Sequence, residues 1–330
     1  MFKVISFGEA LVDLLSNKIS DADDTRSDNG NESFTKFPGG APANVAAAVS
    51  RLGGDAFFAG MIGDDMFGDY IAHSLAQEGV KLDFLSRTKV AKTGLAFVSL
   101  DAQRERSFEF YRHPSADMLF TAEHFPEHCF EGRGLFHFCS NTLTSDGLYD
   151  ATLAGLKRAQ AAQWLCSFDV NLRLNLWADI KHAMPAIWQC FEYADLVKMS
   201  LEELDFVAGS ASHASTLDKI MAAGVSLIII TDGSNPLRYF SAGHNGTIKP
   251  ITVQMVDATA AGDSFVGGLL FSLAQQRLAP SMMTEWLVNR DNLEASIGFA
   301  CACGAYTVQQ RGAISSLPRM QDVAALLPKI

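Results

Sequence analysis

Asp263 is the residue best placed to do chemistry in this sequence, and its setting says which chemistry. It ends Asp257-Ala258-Thr259-Ala260-Ala261-Gly262-Asp263, a run of small residues leading into Ser264-Phe265-Val266-Gly267-Gly268-Leu269-Leu270. Val266, Leu269, Leu270 and Leu273 recur at helical spacing, so the stretch predicts a turn that opens a helix. Gly267 and Gly268 allow a neighbour to approach closely. The first amides of such a helix have no intrahelical partner, and the helix dipole adds positive charge, so the turn suits an anion, phosphate above all. A carboxylate beside that seat repels the ligand unless it has a task. Accepting the proton of a hydroxyl that attacks the phosphate is such a task. An N-capping Asp on an ordinary small-residue turn is the structural alternative.

A second stretch, Pro38-Gly39-Gly40-Ala41-Pro42-Ala43-Asn44, supplies a partner. Two glycines let backbone come close to a ligand, Pro42 suits a first helical turn, and Ala43–Leu52 continues as a small-residue helix. Asn44 can donate and accept, which suits a sugar hydroxyl. Asp13 follows the apolar strand Val4–Gly8, where open α/β sheets bind ligands at strand ends; a turn or cap role is its structural alternative.

The elements that must position these residues follow from the pattern. Strands at Phe57–Ile62, Leu135–Cys139, Trp164–Val170, Leu196–Met199 and Ser226–Thr231 alternate with helices near Phe67–Gln77, Leu148–Ala162, Asp179–Ala194, Glu202–Val207 and Leu217–Ala223. That rhythm predicts an α/β fold whose mostly parallel central sheet carries helices on both faces. Leu237–Phe240 and Thr247–Ile251 read as a hairpin, and the chain beyond Leu269 as mainly helical. Thr93–Leu100 and Ser107–Tyr111 alternate like paired strands across the polar turn Asp101–Arg106, and with Asn17–Lys36 they predict a small separate sheet. The acids of Asp21–Glu32 space superficially like a calcium loop, but Arg26 stands where that loop needs Gly. With no repeat, long linker or second core, residues 1–330 are expected to form one domain, its smaller sheet near 14–37 and 93–115.

Composition bounds the function. A formal charge of -11 and a pI near 5.1 argue against a general nucleic-acid or anionic-membrane binder. The longest apolar runs, such as Leu227–Ile230, are far too short to span a bilayer. Six cysteines without a CxxC pair are expected to be reduced core thiols in the cytoplasm. His124 and His128 are four apart, but Pro126 between them argues against a helical zinc site. Gly8-x-x-x-x-Asp13 lacks the glycine turn of a dinucleotide-binding unit.

Taken together and in order, these motifs resemble the ribokinase-like (PfkB) sugar kinases, nearly end to end. Asp13 matches the family's early sugar-binding Asp, Gly39-Gly40-x-x-x-Asn44 its first signature and Asp257–Gly268 its second. Phe168-Asp169-Val170-Asn171-Leu172-Arg173…Leu176-Trp177 resembles the DxNxR…LW segment of fructokinases, aminoimidazole riboside kinases and 2-keto-3-deoxygluconate kinases. Lys198-Met199-Ser200-Leu201-Glu202-Glu203 resembles the N-x-x-E segment.

The resemblance implies a ribokinase-like fold with a small β-sheet lid and transfer of the γ-phosphate of ATP to a sugar hydroxyl, fructose first. Aminoimidazole riboside, 2-keto-3-deoxygluconate and a non-catalytic sugar-binding paralogue are the alternatives; Asp263, Gly262, Arg173 and Glu203 argue against the last. In the implied mechanism Asp263 is the base, and the turn Ala260–Gly262 forms the anion hole through the amides of Ala261, Gly262 and Asp263. Arg173 lies on the moving phosphate, with a salt bridge to Asp169 as its structural alternative. Asp13, Gly39, Gly40, Asn44, Phe97 and Phe110 would bind the sugar; Lys198, Glu203, Thr231, Gly233 and Gly262 would bind the nucleotide. Glu203 would lie near Mg²⁺, and Asp257 and Thr259 would offer oxygen to K⁺. A homodimer through the lid is a further implication. Departures from the pattern are Ala260 for Gly, which requires negative φ or strain, Ser200 for Asn, Pro236 for a second Gly in the nucleotide loop, and Phe299 and Cys301 where relatives often carry Asn.

Overall fold

The structure is a computed structural model that describes residues 2–16, 32–100 and 106–327. Its strands are β1 (Phe2–Phe7), β2 (Leu11–Ser16), β3 (Phe34–Gly39), β4 (Asp55–Gly63), β5 (Lys81–Thr88), β6 (Leu95–Leu100) and β7 (Arg106–Tyr111), followed by β8 (Arg133–Cys139), β9 (Leu165–Asp169), β10 (Leu196–Ser200), β11 (Leu227–Asp232), β12 (Asn235–Ser241) and β13 (Asn245–Ile248). The α-helices are α1 (Ala41–Arg51), α2 (Met66–Gln77), α3 (Asp146–Ala161), α4 (Ala183–Phe191), α5 (Leu201–Ala208) and α6 (His213–Ala222), then α7 (Ala261–Gln275), α8 (Met283–Val288), α9 (Arg290–Thr307) and α10 (Met320–Leu326).

Nine strands form the main sheet in the order β13-β12-β11-β10-β9-β8-β1-β4-β5, parallel from β11 to β5 and antiparallel at β12 and β13. Neighbouring residues of one strand face opposite layers. Val4, Leu135, Leu165, Leu196 and Leu227 face α1, α7 and α9. Ile5, Phe136, Cys166, Val197 and Ile228 face the layer of α3 to α6. Both faces are covered, which is why these strands read as apolar runs rather than alternating ones.

Four strands form the second sheet, in the order β3-β2-β6-β7. Pairing is parallel between β2 and β6 and antiparallel elsewhere. Two strands, β2 and β5, carried no separate signal in the sequence. Asp13 accordingly sits inside β2, paired with Phe37 and Ala96, rather than at the exit of β1. The single helix expected over Asp179–Ala194 is a short 3-10 turn at Ile180–His182 followed by α4, with the Asp179 carboxylate accepting from the Lys181 amide at 3.0 Å. Apart from Glu32, the acidic stretch from Asp21 lies outside the described residues, as does most of the turn Asp101–Arg106.

All six cysteines are unpaired and buried. Among the described residues, no helix is long and apolar enough to cross a membrane.

Candidate active site

The two motif helices meet because one is stripped of side chains where the other crosses it. A side chain at Gly267 of α7 would collide with Ala48 of α1, and one at Gly268 would reach the Cys303 sulfur of α9 at 2.6 Å. This close approach sets the N-termini of α1 and α7 side by side. Asn44 then donates through Nδ2 to Asp263 Oδ2 at 2.7 Å, across 219 residues of sequence. The turn before α1 is equally tight. Gly40 adopts φ 102°, and an added Cβ there would meet the Glu9 carbonyl at 2.5 Å. A side chain at Gly39 would strike the Asp13 carboxylate.

A cleft of about 1060 Å³ opens here, lined by Asp13, Gly40, Asn44, Phe110, Arg173, Lys198, Glu203 and the turn Ala258–Asp263, while Gly39 stands behind Asp13 and is not part of the lining. Acids dominate it. Burial pushes the Asp263 carboxyl up to about 6; the Asn44 hydrogen bond, Lys198 and Arg173 oppose the rise, and Asp169 adds to it. Burial, then the nearby Asp263 and Glu9, push Asp13 up to about 7. Both carboxyls are thus poised close to the pH at which a base must work.

At the turn, Ala260 adopts φ 58°, ψ 11°, the left-handed region. Of the two outcomes the Gly-to-Ala change allowed, the molecule takes the strained one, at a cost of about 1–2 kcal/mol for a residue with a Cβ. One assignment needs correction. The Ala261 amide donates to the Ala258 carbonyl at 3.2 Å and is occupied by the turn itself. Ser264 N bonds the Ala260 carbonyl at 2.8 Å, so the amides of Gly262 and Asp263 are the ones the helix leaves for an anion. Gly262 has a second reason to lack a side chain, since a Cβ there would lie 3.2 Å from Lys198 Nζ.

The charged residues divide their roles. Lys198, not Arg173, pairs with Asp169, at 3.0 and 3.2 Å. Burial alone would lower the Lys198 pKa, but Asp169, Glu203 and Asp263 outweigh it and raise it, so the ammonium stays charged beside the turn. Arg173 is exposed and, among the described residues, bonds only to the neighbouring Leu172 carbonyl, at 3.5 Å. Glu203 is spoken for: its carboxylate accepts from the amides of Leu172 at 2.8 Å and Ser200 at 2.7 Å, while Ser200 Oγ accepts from Glu203 N at 3.1 Å. Ser200 in place of Asn therefore closes a capping box on α5. A cation near Glu203 would have to share it with these amides.

A second cavity, about 680 Å³, is lined by Thr231, Gly233, Leu237, Ile251, Met255, Phe265 and Cys301. Ala258, Ala261 and Gly262 border both cavities. Thr231 and Gly233 thus stand in one cavity and Lys198 and Glu203 in the other, meeting at the turn. Cys301 lines the second cavity, whereas Phe299 turns away from it to stack on Phe271, 5.8 Å between ring centres. Asp257 is 6% exposed. It accepts from Thr259 N at 2.9 Å and Thr259 Oγ1 at 2.7 Å through Oδ1, and from Gly312 N at 3.1 Å through Oδ2.

Phe97 is not brought to the cleft. Asp13, Ala96 and Phe110 lie across from one another in neighbouring strands and share one face, while Phe97 belongs to the opposite face. There it packs edge-on to Phe34 and Tyr111, at 5.3 and 5.1 Å. Sequence reasoning also missed Glu9 and Asn141, which line the cleft while 2% and 5% exposed. Their only sequence signal was a polar residue at the end of an apolar strand.

Comparison with known proteins agrees with this geometry. Residues 1–320 match the pfkB family carbohydrate kinase domain. Fructokinase-2 of Zea mays is 37% identical over 327 residues, covering 99% of this chain and 94% of its own. The structure of fructokinase with bound ATP from Xylella fastidiosa superposes with a TM-score of 0.92 at 39% identity, over 98% of this chain and 97% of that one. A fructokinase double mutant from Vibrio cholerae O395, bound to fructose, ADP and potassium ion, gives 0.86 at 31% identity, over 99% of each chain. A match over nearly the whole chain, with the glycine turns and Asp263 around one cleft, means that this protein belongs to the pfkB family of carbohydrate kinases.

Proposed function

We propose that the protein is an ATP-dependent fructokinase. The observation that carries the reading is the wall common to the two cavities. A nucleotide in the apolar cavity can present its terminal phosphate to a sugar in the acidic cleft only across Ala258, Ala261 and Gly262, where Asp263 stands. The fructokinase relatives support the choice of sugar, as does Phe110, which lines the cleft with no hydroxyl of its own.

The sugar hydroxyl oxygen forms its bond to the γ-phosphorus as the bond to the β,γ-bridging oxygen breaks. Asp263 takes the hydroxyl proton, and ADP leaves with the electron pair. The amides of Gly262 and Asp263, Lys198 and the exposed Arg173 neutralise the charge on the moving phosphoryl group. Because the reaction is mainly positioning and charge neutralisation, a carboxyl titrating at about 6 is base enough.

Mg²⁺ would be carried largely by the nucleotide phosphates, where it offsets their charge, with Glu203 reaching it through water because amides hold both of its oxygens. Asp257 and Thr259 present a buried carboxylate and a hydroxyl of the kind K⁺ takes, on the turn that orients the anion-hole amides. We read the exposed aromatic face of β2, β3, β6 and β7, with Phe34 39% and Tyr111 59% exposed, as a homodimer contact; sedimentation of a monomer at micromolar concentration would remove it. A single domain in the cytoplasm completes the reading.

The test is an ADP-release assay on fructose, aminoimidazole riboside, 2-keto-3-deoxygluconate and ribose, repeated with Mg²⁺ withheld and with K⁺ exchanged for tetramethylammonium. Fructose is expected to have the highest kcat/KM, and both ion changes to lower the rate. A faster riboside reaction overturns the assignment, and binding without turnover of any sugar identifies a non-catalytic paralogue.

A further inference from the structure

Behind Asp13 the cleft is floored by a buried polar network that the mechanism does not use. Glu9 follows the end of β1 and is 2% exposed. Its Oε1 accepts from the Ala41 amide at 3.2 Å and from Asn141 Nδ2 at 3.0 Å, tying the N-terminus of α1 to the end of β8. Its Oε2 is buried and has no hydrogen-bond partner among the described residues. The same is true of Asn44 Oδ1 and Asn141 Oδ1. All three residues line the cleft. Buried acceptors left without donors are costly, and three around one cavity call for a ligand rich in donors.

A counter-charge lies behind them. Arg112, 1% exposed, donates to Asp117 Oδ2 at 2.6 Å and to the Asn141 carbonyl at 3.1 Å. No ion pair joins it to Glu9 among the described residues, where Arg112 Nη1 and Glu9 Oε2 are both buried without a hydrogen-bond partner. Burial raises the Glu9 pKa, and Arg112 and the Asn141 hydrogen bond oppose the rise.

We propose that Glu9 is a specificity-determining residue of the acceptor site, with Oε2 accepting a hydrogen bond from one particular hydroxyl of the sugar while Oε1 holds Asn141 and the Ala41 amide in place. The inference rests on the sugar kinase reading above. A hydroxyl held this way is discriminated strongly, because an analogue lacking it leaves the buried oxygen unpaired. The Asp263 base needs no such contact, so Glu9 should act on which sugar is held rather than on the transfer itself.

The experiment measures competitive inhibition constants for fructose analogues, each lacking one hydroxyl, against wild type and Glu9→Gln. The Gln variant keeps an acceptor for Asn141 and Ala41 and turns the orphan oxygen into a donor. Wild type should bind one analogue about tenfold or more weakly than the others. In Glu9→Gln fructose KM should rise by about as much, this discrimination should vanish, and KM for ATP should not change. A purely structural Glu9 would weaken all analogues alike or lower Tm alone, and that result overturns the proposal. Should Glu9→Gln not fold, Glu9→Asp, which withdraws both oxygens by one methylene, is read against the same ratios. Wild type binding every analogue equally overturns the inference without any variant. If wild type does not phosphorylate fructose, the assignment of the sugar fails instead, and the deoxy series of the sugar it does phosphorylate carries the same test.

Discussion

Asp263 earns its assignment by position rather than by type. It stands on the first turn of α7, accepts from Asn44 at 2.7 Å and is held by burial at about 6. Asp263→Asn should therefore keep fold and sugar affinity while lowering kcat by at least ~100-fold, the lower range for a lost general base. A near-normal kcat in the purified variant would remove the residue from the mechanism. With Asp263 as the base the active form is the ionised one, so kcat/KM, which reports the free enzyme, should fall as pH drops through about 6 and level off above it; the pH–rate profile checks this directly. Asp263, Asn44 and the glycines were legible in the sequence because their local patterns are short and carry their own physics: a small-residue turn, a helix start, a carboxylate beside an anion seat. The partnership of Lys198 with Asp169 was not legible. It needs two strand ends, β9 and β10, to be neighbours, and nothing in either segment alone favours Lys198 over Arg173.

Among the elements, the cleft is made by a crossing and a cover. The crossing of α1 and α7 is written in the sequence as Gly267-Gly268 and the alanines of α1, so it could be anticipated. The cover could be only half anticipated. Alternation in β6 and β7 marks two faces but cannot say which face meets the ligand, because that depends on β2, a strand with no clear pattern of its own. Pairing of β2 with β6 shows which face meets the cleft, setting Asp13 opposite Ala96 and leaving Phe97 with Phe34 and Tyr111 on the far side. Phe110 shares the face of Asp13 and lines the cleft. Phe110→Ala should raise KM for the sugar about tenfold, as expected when a large apolar contact is lost, and leave KM for ATP unchanged. Phe97→Ala should leave both unchanged, and steady-state kinetics on the two variants tests the division of faces. An unchanged sugar KM in Phe110→Ala would return that ring to a packing role.

For the molecule as a whole, the site is a concentration of acid in a chain already carrying a formal charge of -11. Asp13 and Asp263 are held at about 7 and about 6, against an ordinary value of 3.8, and burial is the main cause in both. The sign of the consequence follows from proton counting. Between the unfolded value and these raised values the folded protein binds more protons than the unfolded one, so stability falls as pH rises through that window and levels off beyond about 7. Above about pH 7 the ligand-free protein therefore holds both carboxylates charged at a cost in stability, which is the usual position of groups kept for catalysis rather than for folding. Replacing either by Asn removes the charge and keeps the shape. Asp13→Asn and Asp263→Asn should raise the Tm of the ligand-free protein by a few degrees at about pH 8, with little gain at about pH 4, where the folded wild type holds both carboxyls protonated and no buried charge opposes folding. Thermal melts across that range read the difference directly. Variants that melt below wild type at about pH 8 would mean that these carboxylates contribute to the fold, and the acid cluster would then be structural before it is catalytic.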